Sequence, residues 1–352
     1  MEPVTKRFGI LTAGGDCPGL NAAMRGLAKT AMGKYNMEIV GFYEGYRGLV
    51  NNNAKLMTPA DFSGILHKGG SILGSSRERP FKDPEKVKKM VETYKKWELD
   101  CLVVLGGNGT QKRGYWLSKE GCNVIGLPKT IDNDIYGNDI SFGFHSALEF
   151  CTDALDRLHT TASSHKRVLI AEIMGNSAGW LALYAGLAGG ADVIVIPEIP
   201  YDIKKIKKHV EERMNSKNPF CVIAVAEGAK SVEEAKLSKK ELKKKRKKEG
   251  ISAGYRVSRE LNEISDFESR VSVLGYLQRG GTPTGYDRVI STQFGVKGAE
   301  LLAKGKYNRM VAAKGLDVVS IPLEEVAEKV QSVPVDNIAI KSAKATGISF
   351  GD

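Results

Sequence analysis

Residues 101–110 read CLVVLGGNGT, an unbroken apolar run from Cys101 to Leu105 that stops at Gly106 and Gly107. A strand with one wet face alternates apolar and polar residues, whereas a strand covered on both faces of a parallel sheet does not need to. The same signature recurs along the chain: FGILTAGG from Phe8, MEIVGFYEG from Met37, NVIGLPKTI from Asn123, RVLIAEIMG from Arg167, DVIVIPEIP from Asp192, FCVIAVAEGA from Phe220 and RVSVLGYL from Arg270. Stretches with helical spacing separate these runs. The reading is an α/β fold with parallel sheets flanked by helices. In such sheets ligands bind beyond the carboxyl ends of the strands, where this chain places its glycine-rich and polar segments.

Composition narrows the class. With 352 residues, 42% of them hydrophobic, the chain has the material for two buried cores, which excludes disorder for most of its length. No apolar run approaches the roughly 18 residues of a membrane span, and the N-terminal segment lacks an apolar signal region, so the expectation is a cytoplasmic protein with no membrane partner. The five cysteines are scattered without metal-binding or disulfide-framework spacing. The net charge is +11, and residues 236–248, KLSKKELKKKRKK, carry nine Lys or Arg against one Glu. No aromatic residue interleaves with that run, so it reads as a solvated helix or loop and nucleic acid is not the expected partner.

The loops carry the chemistry. AGGDCPGLNAAMRGLAK, from Ala13, joins a strand to an amphipathic helix, and backbone N–H groups at such a junction suit a phosphate. GGSILGSSRERP, from Gly69, sets Arg77 and Arg79 beside small residues, and GGNGT follows the strand at Cys101. Three glycine loops at strand ends point to a polyphosphate ligand. PKTIDND, from Pro128 to Asp134, is the most specific segment: Asp132 and Asp134, two apart in a turn, offer one carboxylate for a hydroxyl proton and one for a metal. A turn rich in Asp and Asn is the bland alternative. Arg167, Arg270 and Arg279 at strand ends suggest a second anionic group, as in a phosphorylated substrate.

Taken in order, LTAGGDCPGLNAAMRG, GGSILGSSR, GGNGT, PKTIDND, SSHKR, MGNSAGW, AGGADVIVIPE, AEGA and VLGYLQRGGTPTGYDR resemble the 6-phosphofructokinase family over roughly residues 7–315. The likeness is greatest to its actinobacterial-like group, which includes ATP-dependent and pyrophosphate-dependent enzymes. The resemblance implies a two-lobed phosphofructokinase-like fold: residues 1–141 with 277–315 as a donor-binding lobe, and 142–276 with 316–352 as a sugar-phosphate-binding lobe. It implies transfer of a phosphoryl group to the 1-hydroxyl of fructose 6-phosphate, with ATP favoured over pyrophosphate as donor, Mg2+ as cofactor, and a homotetramer or homodimer. Asp132 would be the general base, with Thr130 and Asp134 completing the catalytic site. Gly14, Tyr46, Arg77, Gly107, Asn108, Gly109, Thr110 and Lys129 would bind the donor. Met174, Gly175, Glu227, Tyr276 and Arg279 would bind the sugar phosphate, and Arg167 and Arg270 would reach it from a neighbouring subunit. Asp132 and Asn108 are the implied metal ligands.

Four positions depart from the family pattern. Asn108 replaces a carboxylate that serves magnesium, and a neutral oxygen holds a hard cation less strongly. Asn176 replaces an arginine that neutralises the transferring phosphoryl group, Arg113 replaces a glycine or alanine near the nucleotide, and Tyr276 replaces a histidine. Gly109 favours ATP, because an aspartate there would repel the nucleotide α-phosphate. The alternatives to an ATP-dependent phosphofructokinase are the pyrophosphate-dependent enzyme, a kinase of another sugar phosphate such as sedoheptulose 7-phosphate, and a weakly active regulatory paralogue.

Overall fold

The computed structural model describes residues 2–352. Each apolar run named above becomes a strand: β1 (Arg7–Thr12), β2 (Glu38–Phe42) and, after a short β3 (Ala54–Leu56), β4 (Cys101–Gly106) and β5 (Val124–Pro128). β6 (Val168–Ile173), β7 (Val193–Val195), β8 (Cys221–Ala226) and β9 (Ser269–Val273) follow, then β10 (Arg309–Lys314) and β11 (Asp317–Pro322). The chain divides into two units, the first ending at Ser146 and resuming over Arg279–Gln331, the second comprising Ala147–Gln278 and Ser332–Asp352.

The first unit holds a seven-stranded sheet ordered β11-β10-β5-β4-β1-β2-β3. Its inner pairings are parallel, and all six residues of β4 are buried, as an unbroken apolar run requires. Thr12 pairs with Leu105 and Gly106 with Pro128, so β1, β4 and β5 end level with one another. That register places the loops that follow them side by side. The edge pairings β2–β3 and β10–β11 are antiparallel, which makes the sheet mixed rather than purely parallel. The sequence reading singles out neither β3, only three residues long, nor β10 and β11. It also assigns residues 316–331 to the second lobe, whereas the pairing of β11 with β10 holds them in the first unit. Leu11, Val40, Phe42, Leu102, Val104 and Val124 form the core of this unit.

The second unit holds a parallel four-stranded sheet ordered β7-β8-β6-β9, with a core that includes Val168, Ile170, Ile223, Val225 and Val257. β9 is an edge strand and leaves Val273 47% exposed, although its apolar run reads like the buried ones. The lysine-rich stretch forms the helix Lys239–Glu249, which buries no residue of its own. A capping box between Ser238 and Glu241 starts it. Arg246 ties it down by an ion pair to Glu234 at 3.0 Å. No helix among the described residues is long and apolar enough to cross a membrane.

Candidate functional site

The loops after β1, β4 and β5 interlock through backbone and side-chain hydrogen bonds. Thr110 Oγ1 donates to the carbonyl of Ala13 at 3.2 Å, and Tyr46, buried, donates its hydroxyl to the carbonyl of Thr110 at 3.0 Å. The N–H of Gly14 donates to the carbonyl of Ser76 at 3.0 Å, while Ser75 Oγ donates to the carbonyl of Gly14 at 2.6 Å. Gly107 precedes the helix Asn108–Lys119 and accepts the N–H of Thr110 at 2.8 Å. Gly14, Tyr46, Gly107, Asn108, Gly109 and Thr110 therefore belong to one connected group of loops, in which Tyr46 and Thr110 are buried. Arg77 lies exposed next to Ser76 on the bordering loop.

The turn after β5 brings the ionisable groups. Lys129 is buried, and its ammonium donates to the carbonyl of Gly15. Burial pushes its pKa down. The N–H of Asp132 donates to Thr130 Oγ1 at 3.1 Å. Asn133 takes the left-handed conformation, with φ 49°, which Asn tolerates better than most residues. Its side chain accepts from the N–H of Ser141 at 2.8 Å and donates to the carbonyl of Asp139 at 3.1 Å, which fixes the bend between the two aspartates. Asp134 is buried, and desolvation, followed by the negative charge of Asp132, raises its pKa to about 7. The Asn108 amide nitrogen donates to the carbonyl of Asp134 at 3.2 Å, while its Oδ1 is shut away from solvent with no hydrogen-bond partner. Arg279 belongs to this same unit and donates to the carbonyl of Asp16 at 3.2 Å.

The second unit gathers another group at the end of β6. Glu227 accepts the N–H groups of Gly175 at 3.3 Å and Asn176 at 2.6 Å. Gly175 has φ 147°, and a Cβ there would lie 2.5 Å from the carbonyl oxygen of Ala178, so only glycine fits. Gln278, buried, accepts the N–H of Met174 at 3.0 Å and steadies that loop. Tyr276 is 74% exposed. Arg167 and Arg270 stand elsewhere. Arg167 immediately precedes β6, whose six residues separate it from Met174 by about 20 Å. Arg270, opposite Leu169 near the start of β9, is exposed and pairs with Glu268 at 2.6 Å.

Several organising residues escape a motif reading. Gln278 is one, and Gln111 is another: it is buried, and its Nε2 donates to the carbonyls of Gly106 at 2.8 Å and Leu127 at 3.0 Å, tying the ends of β4 and β5. Asn21 donates to the carbonyls of Lys68 and Gly69 and accepts the N–H of Ile72, holding the second glycine loop to the first helix. Their signal is an amide side chain in a segment that otherwise buries its neighbours.

The chain is similar to known proteins over most of its length. The phosphofructokinase family profile matches residues 7–302. An ATP-dependent 6-phosphofructokinase of Spirochaeta thermophila is 56% identical over 362 residues, covering 100% of this chain and 99% of its own. An ATP-dependent 6-phosphofructokinase 3 of Bacteroides thetaiotaomicron is 47% identical, covering 98% of this chain and 100% of its own. Among solved structures, Pichia pastoris phosphofructokinase in the T-state aligns with TM-score 0.81 at 29% identity, over 92% of this chain and 35% of that one. The pyrophosphate-dependent phosphofructokinase of Nitrosospira multiformis aligns with TM-score 0.83 at 21% identity, over 99% of this chain and 93% of that one, a likeness of fold alone.

Proposed function

The chain belongs to the phosphofructokinase family, and we propose on that premise a division of roles among its residues. The protein is an ATP-dependent 6-phosphofructokinase that transfers a phosphoryl group from ATP to fructose 6-phosphate. The observation that carries the assignment of roles is the turn from Lys129 to Asp134. There a buried cation and two carboxylates stand at the end of β5, level with the glycine loop that ends β4. Phosphoryl transfer asks a protein mainly for positioning and charge neutralisation, and this turn has groups for both.

Asp132 is the general base that accepts the proton of the acceptor 1-hydroxyl. Thr130 Oγ1 orients it through the Asp132 N–H. Asp134, with its pKa raised to about 7, carries a proton for part of the time at neutral pH and so limits the negative charge crowded into the turn. Lys129, fixed on the carbonyl of Gly15, supplies positive charge towards the donor phosphates. Gly14, Tyr46, Arg77, Gly107, Gly109 and Thr110 shape the donor surface. Met174, Gly175, Glu227 and Tyr276 are assigned to the sugar phosphate, as is Arg279. Asn176 brings no charge, which leaves Lys129 as the cation that takes over from the missing arginine.

The Asn108 amide tests whether this loop fits a metal. An amide oxygen buried without a partner costs on the order of 1–3 kcal/mol, a cost that a bound cation removes. Oδ1 of Asn108 is in that condition and passes the test. Asn108 and Asp132 would hold a divalent cation such as Mg2+, which when bound neutralises phosphate charge. The protein works in the cytoplasm as a homotetramer or homodimer, and the exposed apolar surface of Val273 at the end of β9 and of Tyr276 and Leu277 in the turn that follows supports such an assembly.

The experiment is production of fructose 1,6-bisphosphate by the purified protein from fructose 6-phosphate and Mg2+, with ATP and pyrophosphate offered separately. Turnover with ATP is expected. Turnover with pyrophosphate alone, or preference for a seven-carbon sugar phosphate, overturns the donor or the acceptor assignment respectively.

A further inference from the structure

The helix Asn108–Lys119 carries, one turn in, a charge that the scheme above does not use. Arg113 folds back over the first turn and donates from Nη1 to the carbonyl of Gly109 at 2.9 Å. A Cβ at Gly109 would sit 3.2 Å from that Nη1, so a side chain there would push the guanidinium aside slightly. The guanidinium is half-buried, and no carboxylate among the described residues pairs with it. The neutral Tyr46 phenol, whose hydroxyl is already committed to Thr110, supplies no counter-charge, and the charge of the exposed Arg79 on the bordering loop has the same sign. Burial, and then the Arg79 charge, both oppose its protonated form. An arginine nevertheless stays charged. A partly desolvated guanidinium with no carboxylate partner is an arrangement that an anion repays.

The two donors under consideration differ in what they leave behind. Once one phosphoryl group has moved, pyrophosphate leaves a single phosphate, whereas a nucleoside triphosphate leaves a diphosphate with a nucleoside attached. Lys129 already serves the region of the transferring group. A further cation beside Gly109 has work only with the longer leaving group. Resting on the reading of Gly109 and Thr110 as donor contacts, we propose that Arg113, together with Arg79, holds the diphosphate of the departing nucleotide and so makes a nucleoside triphosphate, rather than pyrophosphate, the donor.

The test uses the full-length protein and measures ADP binding by calorimetry for wild type, Arg113→Ala, Arg113→Lys and Arg79→Ala, beside steady-state kinetics with each donor and a denaturation profile. Loss of a charge-assisted contact to phosphate predicts that Arg113→Ala weakens ADP about tenfold. Arg113→Lys restores part of that loss, and Arg79→Ala shows a smaller effect of the same sign. Adenosine binding stays level, and the ATP KM rises by more than kcat falls. The preference for ATP over pyrophosphate shrinks in parallel. ADP affinity within twofold of wild type in Arg113→Ala overturns the proposal. So does an equal loss of ADP and adenosine, which marks a base contact, or a shifted denaturation profile that Arg113→Lys does not repair. If wild type binds ADP and the variant does not, yet fructose 6-phosphate is not turned over, the contact stands and the acceptor assignment fails. If wild type binds no ADP, the contact falls together with the donor assignment.

Discussion

The residues assigned to the donor and those assigned to the sugar phosphate are organised differently. On the donor side everything from Gly14 to Asp134 closes within the first unit through short bonds, including Tyr46 to Thr110, Thr110 to Ala13 and Lys129 to Gly15. On the sugar side Met174, Gly175 and Glu227 cluster at one end of β6, while Arg167 lies before the other end and Arg270 beside it. The donor side is self-sufficient in one chain. On the sugar side Arg167 and Arg270 stand about 20 Å of strand away from Met174, Gly175 and Glu227, further than one phosphorylated sugar reaches. The contrast is the one the proposed oligomer requires, with the donor residues in one chain and the two arginines serving a second copy.

Breaking the comparison starts with the base. Asp132→Asn is expected to lower kcat by 10²- to 10⁴-fold while the ATP KM changes little, because it removes a proton acceptor and leaves the donor surface intact. A larger effect on KM than on kcat would move Asp132 from chemistry to binding. Arg270→Ala and Arg167→Ala are expected to raise the fructose 6-phosphate KM by roughly ten- to a hundredfold, with kcat less affected, as loss of a charged phosphate contact does. Co-refolding Asp132→Asn with Arg270→Ala then sharpens the point. If the arginine serves a neighbouring chain, mixed oligomers contain sites with both groups intact, and activity rises above the sum of the two parents. No recovery, from mixtures shown to exchange chains, places both residues in the site of their own chain.

The same contrast decides how much could be read from the sequence. Parallel strands announce themselves because burial on both faces demands unbroken runs such as CLVVL and CVIAV, and the loops at their ends carry glycines and acids at short range. β3 and β11 are harder to see because edge strands are short or half-wet, and it is the pairing of β11 with β10 that alters the division of the chain at residues 316–331. Asp132 and Asp134 were visible as a pair, but the raised pKa of Asp134 was not, since it depends on burial by residues far away in sequence. Gln278 reaches across 104 positions to Met174, and no local pattern encodes that bond. Arg113 stood out as an unusual residue, while its contact with Gly109 required the helix geometry.

Asp134 gives a pH test of the buried side. Burial raises its pKa to about 7 in the folded protein from an ordinary value of 3.8, so between about pH 4 and 7 the folded state keeps a proton that the unfolded chain has lost. Stability therefore falls as pH rises through that window and levels off above it. Asp134→Asn lacks the slope. Relative to wild type it should gain on the order of 2 kcal/mol between pH 5 and pH 8, measured as urea midpoints at both. A constant difference between the two proteins would mean that Asp134 titrates normally and that the turn carries two full charges.

The smallest effect belongs to the most conspicuous sequence feature. Lys240, Lys243, Lys244 and Lys247 are exposed on a helix that buries nothing, so replacing all four by Ala should leave kcat and both KM values unchanged and shift stability by no more than about 0.5 kcal/mol per site. Arg246 lies in the same run, yet it pairs with Glu234, which is only 2% exposed. Arg246→Ala should cost about 1–3 kcal/mol, short of the full price of a stranded buried charge because Arg256 remains 3.8 Å from the same carboxylate. Equal effects of the two variants would mean that the helix is held by its summed charge. A large effect of Arg246 alone means that one anchored arginine holds it and that the lysines around it are solvated.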